Sequence, residues 1–356
     1  MSESNTQLED TLSADAGALS LDADNKGPQL DFFEQPRDDE IDYDAEDGDT
    51  SDWFGSDEIE PEAERVLVVG EPEIRRRLTT FLKSKPSLAT FFSGDLKAEA
   101  EKATAMANKL ITEEKCPDKE VARELSLLSM YDLVLLIDDS ASMMDEEDGK
   151  RIDTLKMVVD SICKVYQHAR PDGIVSVKFL NALQGRKNVK NSAILNDHPW
   201  EGVTRIGSQV KKILDNFVFA KGKKLERPLL IMVITDGEIQ GERKDTLTSV
   251  IFRCMEALKK KKQDHAVAFQ FSKVGNDTKA GKFLRELDEH DQIGKYVDCL
   301  LEKQLEDIDD PEEKWSTLPK LLLGAISEMW DEQDTTVKAF AVDGGAKARE
   351  ELSDIE

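Results

Sequence analysis

Cysteine is scarce in this chain. Its four thiols, Cys116, Cys163, Cys254 and Cys299, are spread across 356 residues with no CxxC pair and no His/Cys cluster. That spacing gives no support to a zinc site, and it reads more simply as reduced thiols than as a disulfide framework. Cys163 and Cys254 fall in helical patterns, where a thiol packs as a small apolar group. Long apolar runs are missing too: nowhere do about 18 consecutive apolar residues occur, the length that a membrane-spanning helix needs. Met1 to Asp10 is polar and lacks the apolar stretch of a secretory leader. The expectation is an intracellular protein with no membrane span, cytoplasmic or nuclear. Positive charge is in short supply, with 48 Lys and Arg against 74 Asp and Glu and a formal net charge of −26. Such a balance repels nucleic acid and anionic lipid. The basic run Lys259–Lys262 closes a helical pattern, where cations suit the helix dipole. No GxSxG elbow, GxxxxGK[ST] loop or GxGxxG fingerprint is present, and none of the histidines His168, His198, His265 and His290 is a catalytic candidate.

Charge is unevenly distributed. Residues 1–65 hold 22 acidic and 3 basic side chains without helical or strand periodicity, a composition that predicts disorder. Two aromatic islands, Asp31-Phe32-Phe33-Glu34 and Asp52-Trp53-Phe54-Gly55, are set among these carboxylates. Residues 66–130 form a helical flank, with Ile74, Leu78, Phe81 and Leu82 on one stripe and Leu96, Ala100, Ala103, Ala107 and Leu110 on another. Residues 131–300 alternate strand and helix. Leu133–Ile137 and Leu229–Ile234 are continuous apolar runs of the kind that buried parallel strands show. Further strands are expected at Ile174–Leu180, His265–Phe271 and Tyr296–Cys299, with a short edge strand near Val189–Leu195. Helices are expected around Ile152–Ile162, Ser208–Phe219, Thr246–Lys261 and Lys279–Leu287. The pattern predicts an α/β domain with a doubly wound, mostly parallel sheet flanked by helices. Within residues 301–333, Pro319–Trp330 reads as one closing helix with Leu322, Ile326 and Met329 on its apolar side; 334–356 is a tail with little to bury.

Ligands of such sheets sit beyond the carboxyl ends of the strands, at the point where strand order reverses. Three short motifs fall at predicted element edges there. Asp138-Asp139-Ser140-Ala141-Ser142, a DxSxS pattern, follows the first strand; Gly202-Val203-Thr204 precedes a helix; Thr235-Asp236-Gly237 ends the second long apolar run. Each has an ordinary reading as a helix cap or turn. Their order and spacing together resemble the metal-ion-dependent adhesion site of von Willebrand factor A domains, and the resemblance extends from Tyr131 to about Leu300. Within that superfamily the chain is most similar to the intracellular, single-chain branch seen in fungi.

The resemblance implies a von Willebrand A-like (Rossmann-like) fold and a Mg²⁺ ion, with Mn²⁺ as a substitute. Ser140, Ser142 and Thr204 would be direct hydroxyl ligands, and Asp138 and Asp236 would neutralise the cation largely through water. A hard cation with near-octahedral oxygen coordination suits this donor set, which disfavours copper, iron and zinc. The remaining position would take an Asp or Glu carboxylate from a partner protein, which makes the expected function an adaptor or scaffold and not an enzyme. Ala141 and Val203 stand where the family often has glycine, and a β-carbon at 141 is expected to restrict a tight loop. Asp145, Glu146, Glu147 and Asp148 either raise the local negative field or form a solvated loop. An intramolecular occupant is a further expectation: a carboxylate from Asp52–Glu60, anchored by Trp53 and Phe54, reaching the open position in cis. Two rivals remain, a scaffold whose metal site stays empty and a phosphotransferase of haloacid dehalogenase type; the second would need an acid where Ser140 stands.

Overall fold

The computed structural model describes residues 68–331, apart from 93, 223, 238 and 301–304. The chain divides into Met1–Glu62 and Ala63–Glu356, and everything described belongs to the second unit. Both aromatic islands and the proposed in-cis carboxylates of Asp52–Glu60 lie outside the described residues, as does the tail from 334.

Three helices come first: α1 (Glu71–Ser84), α2 (Lys97–Thr112) and α3 (Lys119–Leu125). The stripe read from the sequence is the buried one in α1, where Ile74, Leu78 and Phe81 face inward. Pro86–Phe91 between α1 and α2 is a 3₁₀ turn, as a proline that cannot continue a helix dictates. The alternating part follows: β1 (Asp132–Ile137), the single turn α4 (Ser142–Asp145), α5 (Lys150–Ala169), β2 (Ile174–Phe179), β3 (Arg186–Val189), α6 (Ile206–Phe217), β4 (Leu229–Thr235), α7 (Thr246–Lys260), β5 (Val267–Lys273), α8 (Thr278–Asp288) and β6 (Val297–Leu300). α9 (Lys314–Leu323) and α10 (Glu328–Asp331) close the described chain.

The sheet order is β3-β2-β1-β4-β5-β6. Every pairing is parallel except β2 with β3. This is the doubly wound order, in which the chain reverses direction of travel between β1 and β4. The edge strand sits at Arg186–Val189, and the stretch expected to carry it ends instead in a 3₁₀ turn at Ser192–Leu195. Continuous apolar strands are explained by two covered faces. Leu133, Leu135, Ile137, Leu230, Met232 and Ile234 pack on the side of α1–α3, α5 and α9. Val134, Leu136, Leu229, Ile231 and Val233 pack on the side of α6, α7 and α8. Alternate side chains of one strand point to opposite faces, so a strand with no polar alternation needs a hydrophobic layer on each.

The closing segment differs from the single helix expected. α9 starts earlier and contains Pro319, and the helix ends at Gly324 before α10 begins. A β-carbon on Gly324 would lie 2.0 Å from Asp298 Oδ2, so the chain passes this carboxylate only where no side chain exists. The break reorients the last turn: Leu322 and Ile326 are buried, whereas Met329 is 47% exposed, against the expectation that it faces inward.

Candidate metal centre at the carboxyl edge of the sheet

β1 and β4 run side by side to Ile137 and Ile234, and the backbone N–H of Asp138 still donates to the Ile234 carbonyl at 2.9 Å. That last ladder bond delivers Asp138 and Asp236 to the same edge, at the reversal of strand order. Both are fully buried. Asp138 Oδ1 accepts from the Ser140 N–H at 3.0 Å, and Oδ2 accepts from the Thr235 hydroxyl at 2.6 Å. The hydroxyls of Ser140 and Ser142 are 3.1 Å apart, and Ser142 lies close enough to Asp236 to favour its charged form. Asp236 Oδ2 accepts from Arg151 Nη1 at 2.8 Å, while its Oδ1 has no hydrogen-bond partner. Three of the five candidate ligands, Asp138, Ser140 and Ser142, are thus joined through a hydrogen bond and adjacent hydroxyls, and Asp236 neighbours both Asp138 and Ser142. Thr204, also buried, adjoins them from the loop before α6: a β-carbon on Gly237 would lie 4.0 Å from its Oγ1, and its carbonyl accepts from Gln240 N–H at 3.0 Å.

Residues that the sequence reading did not select hold that loop in place. Asp139 Oδ1 accepts from Asn181 N at 2.8 Å and from Asn181 Nδ2 at 3.0 Å; its Oδ2 accepts from Ala182 N at 3.0 Å. His198 Nε2 lies 3.1 Å from the same Oδ2, and its ring stacks on Phe179 at 3.9 Å with Trp200 edge-on. Asn181 Oδ1 accepts from Val203 N–H at 3.1 Å, and Gly202, at φ +97°, passes so close that a β-carbon would meet that oxygen at 2.4 Å. Asp139 is therefore a splint between two loops. No spacing in the sequence signals it, because its partners lie 42 and 59 residues away.

The acidic stretch after the motif is not merely a solvated loop. Glu146 and Glu147 pair with Arg151, whose side chain is 2% exposed. The restriction expected from Ala141 does not arise, since this residue sits in ordinary right-handed backbone at φ −59°, ψ −33°, where a β-carbon costs nothing.

Burial shapes the electrostatics. Desolvation, reinforced by the neighbouring Asp236, pushes the Asp138 carboxyl up to about 6. Asp236 is also raised by burial, against the opposing hydrogen bonds of Ser142 and Arg151. For Arg151, burial works against its charge, but bonds to Glu147 and Asp236 outweigh it and hold the guanidinium above its usual range. Two buried carboxylates, of which only Asp236 pairs with a guanidinium, leave negative charge in excess. Among the described residues no three His, Cys, Asp or Glu side chains converge on a point, so cation-holding capacity here rests on hydroxyls as much as on carboxylates. Three hydroxyl oxygens and two carboxylates, one of them with the unpartnered Asp236 Oδ1, suit a small, hard dication.

No family model matches the sequence, and no curated protein matches it. Among solved structures, the crystal structure of the SpRpn10 VWA domain is similar, at 15% identity over 51% of this chain and 96% of that chain, with a TM-score of 0.32. The α/β fold stands on its own strand order and register.

Proposed function

We propose that this chain is a protein-binding adaptor whose contact site is a divalent cation, Mg²⁺ or Mn²⁺, at the carboxyl edge of the sheet. The supporting observation is the convergence of Asp138, Ser140, Ser142, Thr204 and Asp236 at the reversal point, with Asp236 Oδ1 buried and without a partner. Ser140, Ser142 and Thr204 would offer hydroxyl oxygens to the ion, and Asp138 and Asp236 would balance its charge. When bound, the ion supplies an electrophilic position for a carboxylate of the partner protein. The chain's own part is orientation: Thr235 and the Ser140 amide hold Asp138, and the Asp139, Asn181 and His198 splint holds the Thr204 loop. Groups of this kind around ligands set their geometry and affinity.

The test is calorimetric titration of Mg²⁺ and Mn²⁺ into the full chain, Asp138→Ala, and the double change Ser140→Ala/Ser142→Ala. One ion bound by the parent and by neither variant is the expected result. A folded parent chain that takes up no ion transfers the site to the scaffold reading.

A further inference from the structure

The buried guanidinium of Arg151 is the least expected group at this site. It enters from the first turn of α5 and meets three carboxylates. Nη1 donates to Asp236 Oδ2 at 2.8 Å, Nε donates to Glu147 Oε1 at 3.0 Å, and Nη2 lies 2.6 Å from Glu146 Oε2 and 2.9 Å from Glu147 Oε1. Its place is enclosed. A β-carbon on Gly275, at φ +76°, would sit 2.6 Å from Arg151 Nε and 2.7 Å from Glu147 Oε1, and the Asn276 N–H donates to that same Glu147 oxygen at 3.2 Å. The 275–276 loop therefore seals the guanidinium against Asp236 from outside.

We infer that Arg151 is a resident counter-ion that competes with the divalent cation for Asp236 and so lowers the affinity of the bare site. The inference rests on the metal-binding reading above and assigns Arg151 the control of it. One carboxylate, Asp236, is asked to face both cations: Oδ2 already belongs to Arg151, and only Oδ1 is free. Like charges gathered on one buried carboxylate repel far more strongly than in water, because little solvent screens them. Glu146 and Glu147 act in the opposite sense, since they share the guanidinium and draw part of its charge away from Asp236. A partner carboxylate arriving at the ion would add the negative charge that Arg151 offsets, so ion and partner bind cooperatively in this arrangement.

The experiment is Mg²⁺ and Mn²⁺ calorimetry on the full-length chain and on Arg151→Met, Arg151→Lys, Glu147→Gln and Lys150→Met. Thermal melting of each, with chelator and with saturating ion, runs in parallel. Removing the buried guanidinium should raise ion affinity by about tenfold or more, and Arg151→Lys, which keeps the charge but loses the fork, should fall between. Glu147→Gln should lower affinity. Lys150 is exposed, so Lys150→Met, the charge-matched neighbour, should change it by less than about fivefold. Arg151→Met should melt below the parent with chelator, and saturating ion should close that gap; a purely structural clamp would leave the gap open. If Arg151→Met does not fold, the Arg151→Lys and Glu147→Gln pair decides by the opposite signs of their effects. A parent that binds one ion with Arg151→Met unchanged overturns this inference and spares the metal site. Failure of both parent and Arg151→Met to bind any ion, with both folded, overturns the metal reading and the competition with it.

Discussion

Among the described residues, two of the clusters of buried charge are built differently. Within the sheet, Asp298 on β6 accepts from Lys320 Nζ of α9 at 2.8 Å on one oxygen and from Gln270 Nε2 of β5 at 2.5 Å on the other. Gln270 Oε1 in turn accepts from the Ala325 N–H at 2.9 Å. Both carboxylate oxygens are used, and the cluster ties the closing helix to β5 and β6. At the carboxyl edge, Asp138 and Asp236 lie beside two adjacent serines, Asp236 alone of the two shares one guanidinium with Glu146 and Glu147, and one Asp236 oxygen is unpartnered. A satisfied cluster holds structure together, whereas an unbalanced one costs stability and is retained where something binds.

The widest separation between the two should come from Lys320→Met. It removes the buried ammonium that faces Asp298, and the loss should be about 3–5 kcal/mol by chemical denaturation, with ion uptake at the edge site unchanged. Ion uptake lost along with stability would mean that the clusters are coupled and the contrast is false.

Titration should give the next largest effect. Asp138 is raised in the folded chain to about 6 from an ordinary 3.8, by burial first and by Asp236 second. A folded-state value above the unfolded one means that the folded chain holds the proton more tightly. The associated stability is fully present below about pH 4 and is lost as pH rises through about 6, a change of roughly 3 kcal/mol in the metal-free protein. Asp138→Asn measured against the parent in chelator over this window should remove that slope. The same proton competes with a cation, so ion affinity should fall as pH drops below about 6.

Smaller is the expected effect of His198→Gln. His198 touches no candidate ligand directly but supports Asp139 and hence the Thr204 loop. The change should weaken ion binding by about tenfold while thermal stability moves little; a large loss of stability with unchanged affinity would make His198 a core residue and nothing more. The smallest expected effect is at Met329. Its exposed side chain should tolerate Met329→Ser within about 0.5 kcal/mol in a denaturation series, although the helical stripe in the sequence placed it inside.

Much of the fold was legible beforehand because apolar periodicity is a local property. The runs Leu133–Ile137 and Leu229–Ile234 are of the kind that buried parallel strands show, and their alternation with amphipathic helices pointed to a helix-covered parallel sheet. The five candidate ligands were legible for a related reason: each ends or begins an element whose position the periodicity reveals. Arg151 was not, since a basic residue in the first turn of a long amphipathic helix reads as solvent-facing, and only the approach of the Asp236 and Gly275 loops makes it buried. Asp139, Asn181 and His198 escaped notice because their partnership spans three loops with no common spacing. The break at Gly324 was equally invisible, as it answers a carboxylate on another strand.

By itself, then, the sequence determined which segments are strands and helices, that both faces of the sheet are covered, and that hydroxyls and carboxylates gather at its carboxyl edge. These follow from side-chain size, polarity and the two fixed periods of the backbone, 3.6 and 2 residues. Tertiary structure alone decided how the buried polar groups pair: Arg151 with Asp236, Lys320 with Asp298, and His198 with Asp139. Pairing of buried charge depends on distances of about 3 Å between residues far apart in the chain, and no local rule carries that information.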